Sequence, residues 1–207
     1  MMKIDKDLLS IQEVRNLIEK AKEAQKILAT YTQQEIDKIV KAMAEEGMRA
    51  SRWLAKVAVE ETEIGIFEHK VVKNLFATKR VYEGIKDLKT VGIIYVDEKN
   101  RVYHIAEPVG VIAALAPTTN PTSTALFKAL ISIKSRNAVV FSPHPRAVDC
   151  TCQAAEIMHK AAAHAGAPEG IIGCIHYPTL EATNLLMKHP DTGVILATGG
   201  SGMVKAA

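Results

Sequence analysis

Apolar side chains recur at helical spacing through the first part of the chain. Between Ile11 and Leu28 they follow intervals of three and four residues, which is the pattern of an amphipathic helix. Thr32 followed by Glu35 fits a capping box and predicts the start of a second helix. Its apolar face is expected to carry Ile36, Ile39, Val40 and Met43.

Two further amphipathic helices are predicted before residue 90. The third carries Trp53 and continues towards Glu61, and the fourth runs from about Phe67 to Ile85. One side of the fourth helix is expected to contain Val71, Val72, Leu75, Phe76 and Val81. We therefore expect residues 1–89 to form a helical scaffold.

A β-hairpin is predicted over residues 90–108. Two β-rich runs, Thr90–Val96 and Val102–Ala106, flank a polar turn at residues 97–101. An exposed ribbon of this kind often pairs with another subunit, which would make the protein a homo-oligomer. The alternative is a hairpin that covers its own domain, and the pattern is compatible with both.

From Gly110 onward, buried strands alternate with helices. The strands are predicted in the runs GVIAALAP, NAVVFSPHP, GIIGCIHYP and GVILATGG, and a helical pattern follows each of them. Strands that are apolar on both faces and alternate with helices indicate βα units and a parallel sheet. Residues 109–207 are therefore predicted to be a Rossmann-like α/β unit, incomplete at its carboxyl end.

Composition and charge exclude several classes of protein. The 207 residues are 48% hydrophobic, and 26 basic and 23 acidic residues give a net charge of +3 without a Lys/Arg block, which argues against nucleic-acid binding. No run approaches the ~20 apolar residues of a membrane span, and the absence of a signal-peptide pattern predicts a cytoplasmic location. Cys150, Cys152 and Cys174 favour reduced thiols over a metal site.

The loops that follow the predicted strands are where a ligand is expected, because ligands of parallel sheets bind beyond the carboxyl ends of the strands. After the first strand, Thr118, Thr119 and Asn120 lie between two prolines. The Asn120 amide is able to donate to a developing oxyanion, or Asn120 and the threonines cap the next helix.

Two other loops add polar and flexible residues at the same edge. Ser142 is placed to hydrogen-bond a ribose, Arg146 to pair with a phosphate, and His144 is either a ligand or a surface residue. The loop after the last predicted strand, Thr198-Gly199-Gly200, either lets a phosphate approach the backbone or simply connects the strand to the next helix. The convergence of these loops predicts a nucleotide site.

The loops also carry a family resemblance. The segments GVIAALAPTTNPTSTALFKALISIKSRNAVVFSPHPRA and AGAPEGIIGCIHYPTLEATNLLMKHPDTGVILATGGSGMVKAA closely resemble the CoA-acylating branch of the aldehyde dehydrogenases. The likeness includes the N-terminal half of the bifunctional aldehyde-alcohol dehydrogenases, and it extends through EETEIGIFEHKVVKN and the hairpin to essentially the whole chain.

The resemblance implies NAD-dependent oxidation of an aldehyde with coenzyme A as co-substrate, or the reverse reduction. It also implies an oligomerising β-ribbon, and Asn120 as the oxyanion donor. The residues that it assigns to the NAD site are Leu115, Ala116, Pro117, Thr118, Thr119 and Asn120, with Thr198, Gly199 and Gly200 near the cofactor. Ser142, His144 and Arg146 would face the adenosine part of NAD, or CoA.

One departure concerns the nucleophile. In this family a cysteine follows the ATGG turn by a few dozen residues, whereas seven residues follow Gly200 here, and none of the three cysteines matches it. We therefore expect the chain alone to be inactive. The alternatives are a natural, non-catalytic nucleotide-binding or subunit-interaction module and, less compatible with these segments, an acyl-phosphate reductase on a related scaffold. The aldehyde's chain length and a following alcohol dehydrogenase domain stay open.

Overall fold

The computed structural model describes residues 5–207, so the first four residues of the predicted scaffold lie outside the described part. The N-terminal helices are α1 (Lys6–Leu28), α2 (Gln33–Thr62), α3 (Phe67–Leu75) and α4 (Val81–Ile85), with a π-helical segment at Phe76–Arg80 between the last two. The capping box that opens α2 is formed, with reciprocal hydrogen bonds between Thr32 and Glu35.

The prediction of separate second and third helices is wrong, because α2 continues without interruption through Trp53. The polar residues around Gly47 had interrupted the apolar pattern. A Cβ atom at Gly47 would lie 2.6 Å from the Thr78 side chain, so this glycine lets the π-helical segment pack closely on α2. It is therefore a packing position within the helix and not a helix end.

The expected apolar side of the fourth predicted helix is also wrong in part. Val72, Leu75 and Phe76 are exposed, at 65%, 38% and 64%. The buried stripe includes Asn74, whose Nδ2 donates to the Ser51 carbonyl while its Oδ1 accepts from another side chain. Polar residues with hydrogen-bond partners therefore occupy buried positions that a hydrophobic pattern does not reveal.

The hairpin lies at the predicted positions, with β1 at Gly92–Asp97 and β2 at Val102–Ala106, paired antiparallel. Arg136 anchors its base by donating to the carbonyl oxygens of Ala29 (2.6 Å) and Ala106 (2.8 Å). The Asn137 Oδ1 atom accepts from the backbone N–H groups of Val109 and Gly110. The loop before β4 thus holds the chain as it leaves the hairpin.

The predicted α/β class with a parallel sheet is confirmed. The strands are β3 (Val111–Ala116), β4 (Ala138–Pro143), β5 (Ile172–Cys174) and β6 (Thr192–Leu196), in the parallel order β5-β4-β3-β6. The helices of this unit are α5 (Pro121–Lys134), α6 (Val148–His164), α7 (Leu180–Lys188) and α8 (Ser201–Ala206). Because β3 pairs with both β4 and β6, the loops that follow these three strands are neighbours.

Helices cover both faces of the sheet. The connections through α5 and α6 advance in one direction across the sheet and the connection through α7 returns, so right-handed crossovers place α7 on the opposite face. There it packs against α1, whereas α2 packs outside α5 and α6. Within residues 5–207, the helices are all too short or too polar to span a bilayer.

Candidate functional site

A cavity of about 610 Å³ lies at the carboxyl ends of β3, β4 and β6. The loop after β5 completes its wall with Pro178, Thr179 and Leu180. The predicted site residues that line the cavity are Leu115, Ala116, Pro117, Thr118, Thr119, Asn120, Ser142, His144, Thr198, Gly199 and Gly200. The fold therefore brings the loops together at one sheet edge, which is the arrangement expected of a ligand site.

The wall of the cavity contains a hydroxyl group without a partner. Thr118 Oγ1 is buried, and no group in the described part of the chain hydrogen-bonds to it. An unsatisfied buried hydroxyl costs about 1–3 kcal/mol, so it is expected where a ligand completes the hydrogen bond. This position fits a polar group of a bound molecule.

The Asn120 side chain is oriented by a lysine of α3. Lys73 Nζ donates to Asn120 Oδ1 over 2.9 Å. An ammonium group only donates, so the amide oxygen faces Lys73 and the amide N–H groups face elsewhere. Asn120 precedes α5, but its side chain does not cap that helix, so the capping alternative is wrong for this residue. The Asn120 Nδ2 atom donates to Thr119 Oγ1 over 3.4 Å, which leaves its second N–H for an oxyanion.

A second lysine of α3 fixes the same loop. Lys70 is buried, and its Nζ donates to the Thr119 carbonyl oxygen over 3.0 Å. Burial lowers the pKa of Lys70, and the nearby Lys73 ammonium lowers it further. Neighbouring hydrogen bonds from Lys70 and Lys73 therefore hold the Thr119–Asn120 segment from outside the sheet.

Lys128 ties two strand ends together below the cavity. It is 2% exposed, and its Nζ donates to the carbonyl oxygens of Leu115 (2.8 Å) and Leu196 (2.6 Å). The pairing of β3 with β6 ends at Ala114 opposite Leu196, so this ammonium group bridges the strands just beyond their last pair. Burial lowers the pKa of Lys128 to about 8.

The loop after β4 offers fewer free polar groups to the cavity than we expect from the sequence. The Ser142 hydroxyl is paired with Thr183 Oγ1 at 2.8 Å inside the protein, and His144 Nδ1 accepts from the Arg146 backbone N–H. Arg146 does not line the cavity, and its guanidinium donates to the Thr62 carbonyl oxygen over 3.4 Å. The structure therefore does not bring the Arg146 side chain together with the other predicted residues of the site, because this side chain turns towards the end of α2.

The three cysteines lie away from the cavity. All are buried and none lines it. Burial raises the pKa of the Cys150 thiol, and the Glu61 carboxylate beside it raises it further. Such a thiol is a weak nucleophile. Within residues 5–207, no group of His, Cys, Asp and Glu side chains has the arrangement of a metal site.

A larger groove of about 1050 Å³ lies between α1 and α6, along the edge strand β5. None of the predicted site residues lines it. We therefore take the smaller cavity as the candidate site, because it lies where the strand-to-helix loops converge.

Some residues around the site were not identified from the sequence. Thr183 and Met203 line the cavity from helices. Lys70 and Lys73 hydrogen-bond to the loop after β3, and Lys128 hydrogen-bonds to the ends of β3 and β6. Among these lysines, Lys128 had a sequence signal, because a lysine inside the apolar helix TSTALFKALISIK requires a partner.

Comparison with known proteins identifies the family. The aldehyde dehydrogenase family matches residues 7–206. The bifunctional aldehyde-alcohol dehydrogenase of Escherichia coli (strain K12) is 52% identical over 198 residues, which are 96% of this chain and 22% of that protein.

Solved structures agree with this assignment. An acetylating aldehyde dehydrogenase from Geobacillus thermoglucosidasius is 61% identical, with a TM-score of 0.98 over 99% of this chain and 45% of that one. A Rhodopseudomonas palustris propionaldehyde dehydrogenase, solved with bound CoA and an acylated cysteine, is 33% identical with a TM-score of 0.78, covering 93% of this chain and 44% of that one. The chain thus spans less than half the length of these relatives, and it belongs to the aldehyde dehydrogenase family.

Proposed function

We propose that this chain supplies the NAD-binding site of a CoA-acylating aldehyde dehydrogenase. The observation that carries the proposal is the cavity at the carboxyl ends of β3, β4 and β6, with the unpartnered Thr118 hydroxyl in its wall. Its volume of about 610 Å³ is within the range of about 300–1,000 Å³ that is usual for small-molecule and cofactor sites. When bound there, NAD would supply the hydride acceptor.

The reaction proposed for an enzyme that contains this site is oxidation of acetaldehyde with CoA to an acyl-CoA, or the reverse. Asn120 would donate an amide N–H to the substrate oxygen as negative charge develops on it, and Lys73 keeps the amide in that orientation. The nucleophilic cysteine is proposed to come from polypeptide outside these residues, because the three cysteines lie away from the cavity.

The hairpin is proposed to join copies of the protein into a homo-oligomer. Most of its strand residues are exposed, although they include large apolar side chains. The exposed apolar residues of the ribbon are Ile93, Ile94, Tyr95, Val96, Val102, Tyr103 and Ile105. An apolar ribbon with unpaired edges is suited to pairing with another chain. In this proposal, residues 1–89 support the site and residues 109–207 form it.

The proposal is tested by titrating NAD into the purified chain in a calorimeter. We expect binding, and we expect Thr118→Val to weaken it about five- to tenfold, since a lost hydrogen bond costs about 1 kcal/mol. Thr30→Val, which removes an exposed hydroxyl far from the cavity, is the control and should leave the affinity unchanged.

Incubation of the same sample with acetaldehyde, CoA and NAD should produce no NADH. Turnover by the chain alone would contradict the proposal that the nucleophile lies elsewhere. Absence of NAD binding, or equal binding by the two threonine variants, would contradict the assignment of the cavity. NAD binding is also expected of a non-catalytic nucleotide-binding module. The measurement that distinguishes this module from the cofactor-binding part of an enzyme is activity of a longer protein that carries the cysteine.

A further inference from the structure

Two cysteines that are 22 positions apart in the sequence lie side by side in the fold. Cys152 is near the start of α6, and Cys174 is the last residue of β5. Both are free thiols, and their Sγ atoms are in contact at 2.7 Å. The third cysteine, Cys150, packs in a separate small cluster beside Ala58 and Ala147, so the chain contains one thiol pair and one isolated thiol.

The thiol pair borders the groove between α1 and α6. Both side chains line this groove, although each residue is less than a tenth exposed. The acidic residues of the groove are Glu19, Glu23, Asp149, Glu156 and Glu169, and they outnumber the basic side chains, which are Lys20, His159 and His176. His159 is hydrogen-bonded to Glu169. An acidic groove repels anions, so a small neutral molecule has the easier approach to the thiols.

We propose that Cys152 and Cys174 are a modification site at which hydrogen peroxide forms an intramolecular disulfide. One thiol, as its thiolate, attacks a peroxide oxygen; the O–O bond breaks, and the products are a sulfenic acid and water. The second sulfur then displaces the hydroxyl group of the sulfenic acid, which leaves as water. In total the two thiols lose two electrons and two protons, and one peroxide becomes two waters.

The surroundings of the pair favour an intramolecular bond. β5 pairs with β4, and α6 packs on β5, so the two sulfur atoms are held together by elements of the core. A sulfenic acid formed on one sulfur therefore meets the other before it meets a second protein molecule. Burial raises the pKa of the Cys174 thiol, and contact with Cys152 raises it further, so we expect slower oxidation than at an exposed thiolate.

The test is to treat the purified chain with hydrogen peroxide, denature it, alkylate the remaining thiols and map the peptides by mass spectrometry. We expect the number of free thiols to fall from three to one, with a crosslinked peptide that joins Cys152 to Cys174. A dithiol reductant should restore all three thiols. NAD titration of the same sample before oxidation reports on the proposed function separately.

Matched serine variants locate the bond. Cys150→Ser should lose both of its remaining thiols, whereas Cys152→Ser and Cys174→Ser should each keep two, with circular dichroism confirming that each variant is folded. Three persisting thiols in the oxidised parent chain would overturn the proposal. A crosslink that involves Cys150, a bond between two molecules, or conversion of one sulfur to a sulfinic acid without a crosslink would also overturn it.

Discussion

Replacing Lys128 by methionine should remove a specific pH dependence from the free energy of unfolding. Burial lowers the pKa of Lys128 from 10.5 to about 8, and at about 1.36 kcal/mol per pH unit this difference corresponds to about 3 kcal/mol. Between these two pH values, the unfolded chain holds the proton and the folded chain does not. Unfolding then takes up a proton, so the free energy of unfolding rises with pH in this window and is flat below it.

The measurement is urea denaturation of the parent chain and Lys128→Met across this window. From about pH 7 to about pH 10, the free energy of unfolding of the parent chain should rise by about 2.5 kcal/mol relative to that of Lys128→Met. The titration of all other groups cancels in this comparison. Lys160→Met, which removes an exposed lysine of α6, should show no such growth. A constant difference for Lys128→Met would mean that the carbonyl oxygens of Leu115 and Leu196 keep the lysine charged, which would refute the reasoning.

Other substitutions test the packing and the boundary of the site. Gly193→Ala would place a Cβ atom 2.0 Å from a backbone carbonyl oxygen and should lower the free energy of unfolding by about 2 kcal/mol in urea, whereas Gly84→Ala, in an open helical position, should raise it by about 0.5–1 kcal/mol. Arg146→Ala should leave NAD affinity unchanged in calorimetry, and a tenfold loss would place the guanidinium in the nucleotide site. Glu61→Ala removes a carboxylate that accepts from two first-turn N–H groups of α6 and should destabilise the fold by about 1 kcal/mol, with exposed Glu60→Ala as the neutral control.

The sheet was predictable because its strands are buried on both faces. Continuous apolar runs bounded by turn residues located β3, β4, β5 and β6 to within a few positions, and alternation with helices predicted their parallel arrangement. The burial of α3 was not predictable in this way. Lys70 and Asn74 are buried there through hydrogen bonds to distant segments, and a pattern of apolar residues contains no information about such partners.

The residues of the candidate site also fall into those that the sequence predicts and those that it does not. Residues that directly follow strand ends, such as Thr118 and Gly199, were identified because topology alone brings strand ends to one edge. The orientation of Asn120 by Lys73 and the contact of Cys152 with Cys174 depend on distances between segments that are far apart in the sequence. The direction of the Arg146 side chain likewise follows from where α2 ends, which the chain order does not reveal.

The anchoring of the hairpin has a mechanical consequence. Arg136 and Asn137 lie in the turn that leads directly into β4. Arg136 donates to the Ala106 carbonyl oxygen at the base of the hairpin, and Asn137 Oδ1 accepts from the backbone N–H groups that precede β3. The base of the ribbon is therefore joined to the sheet by side-chain hydrogen bonds as well as by the polypeptide itself. A force applied at its tip is transmitted to the two central strands, whose opposite ends carry Thr118 and His144 at the cavity.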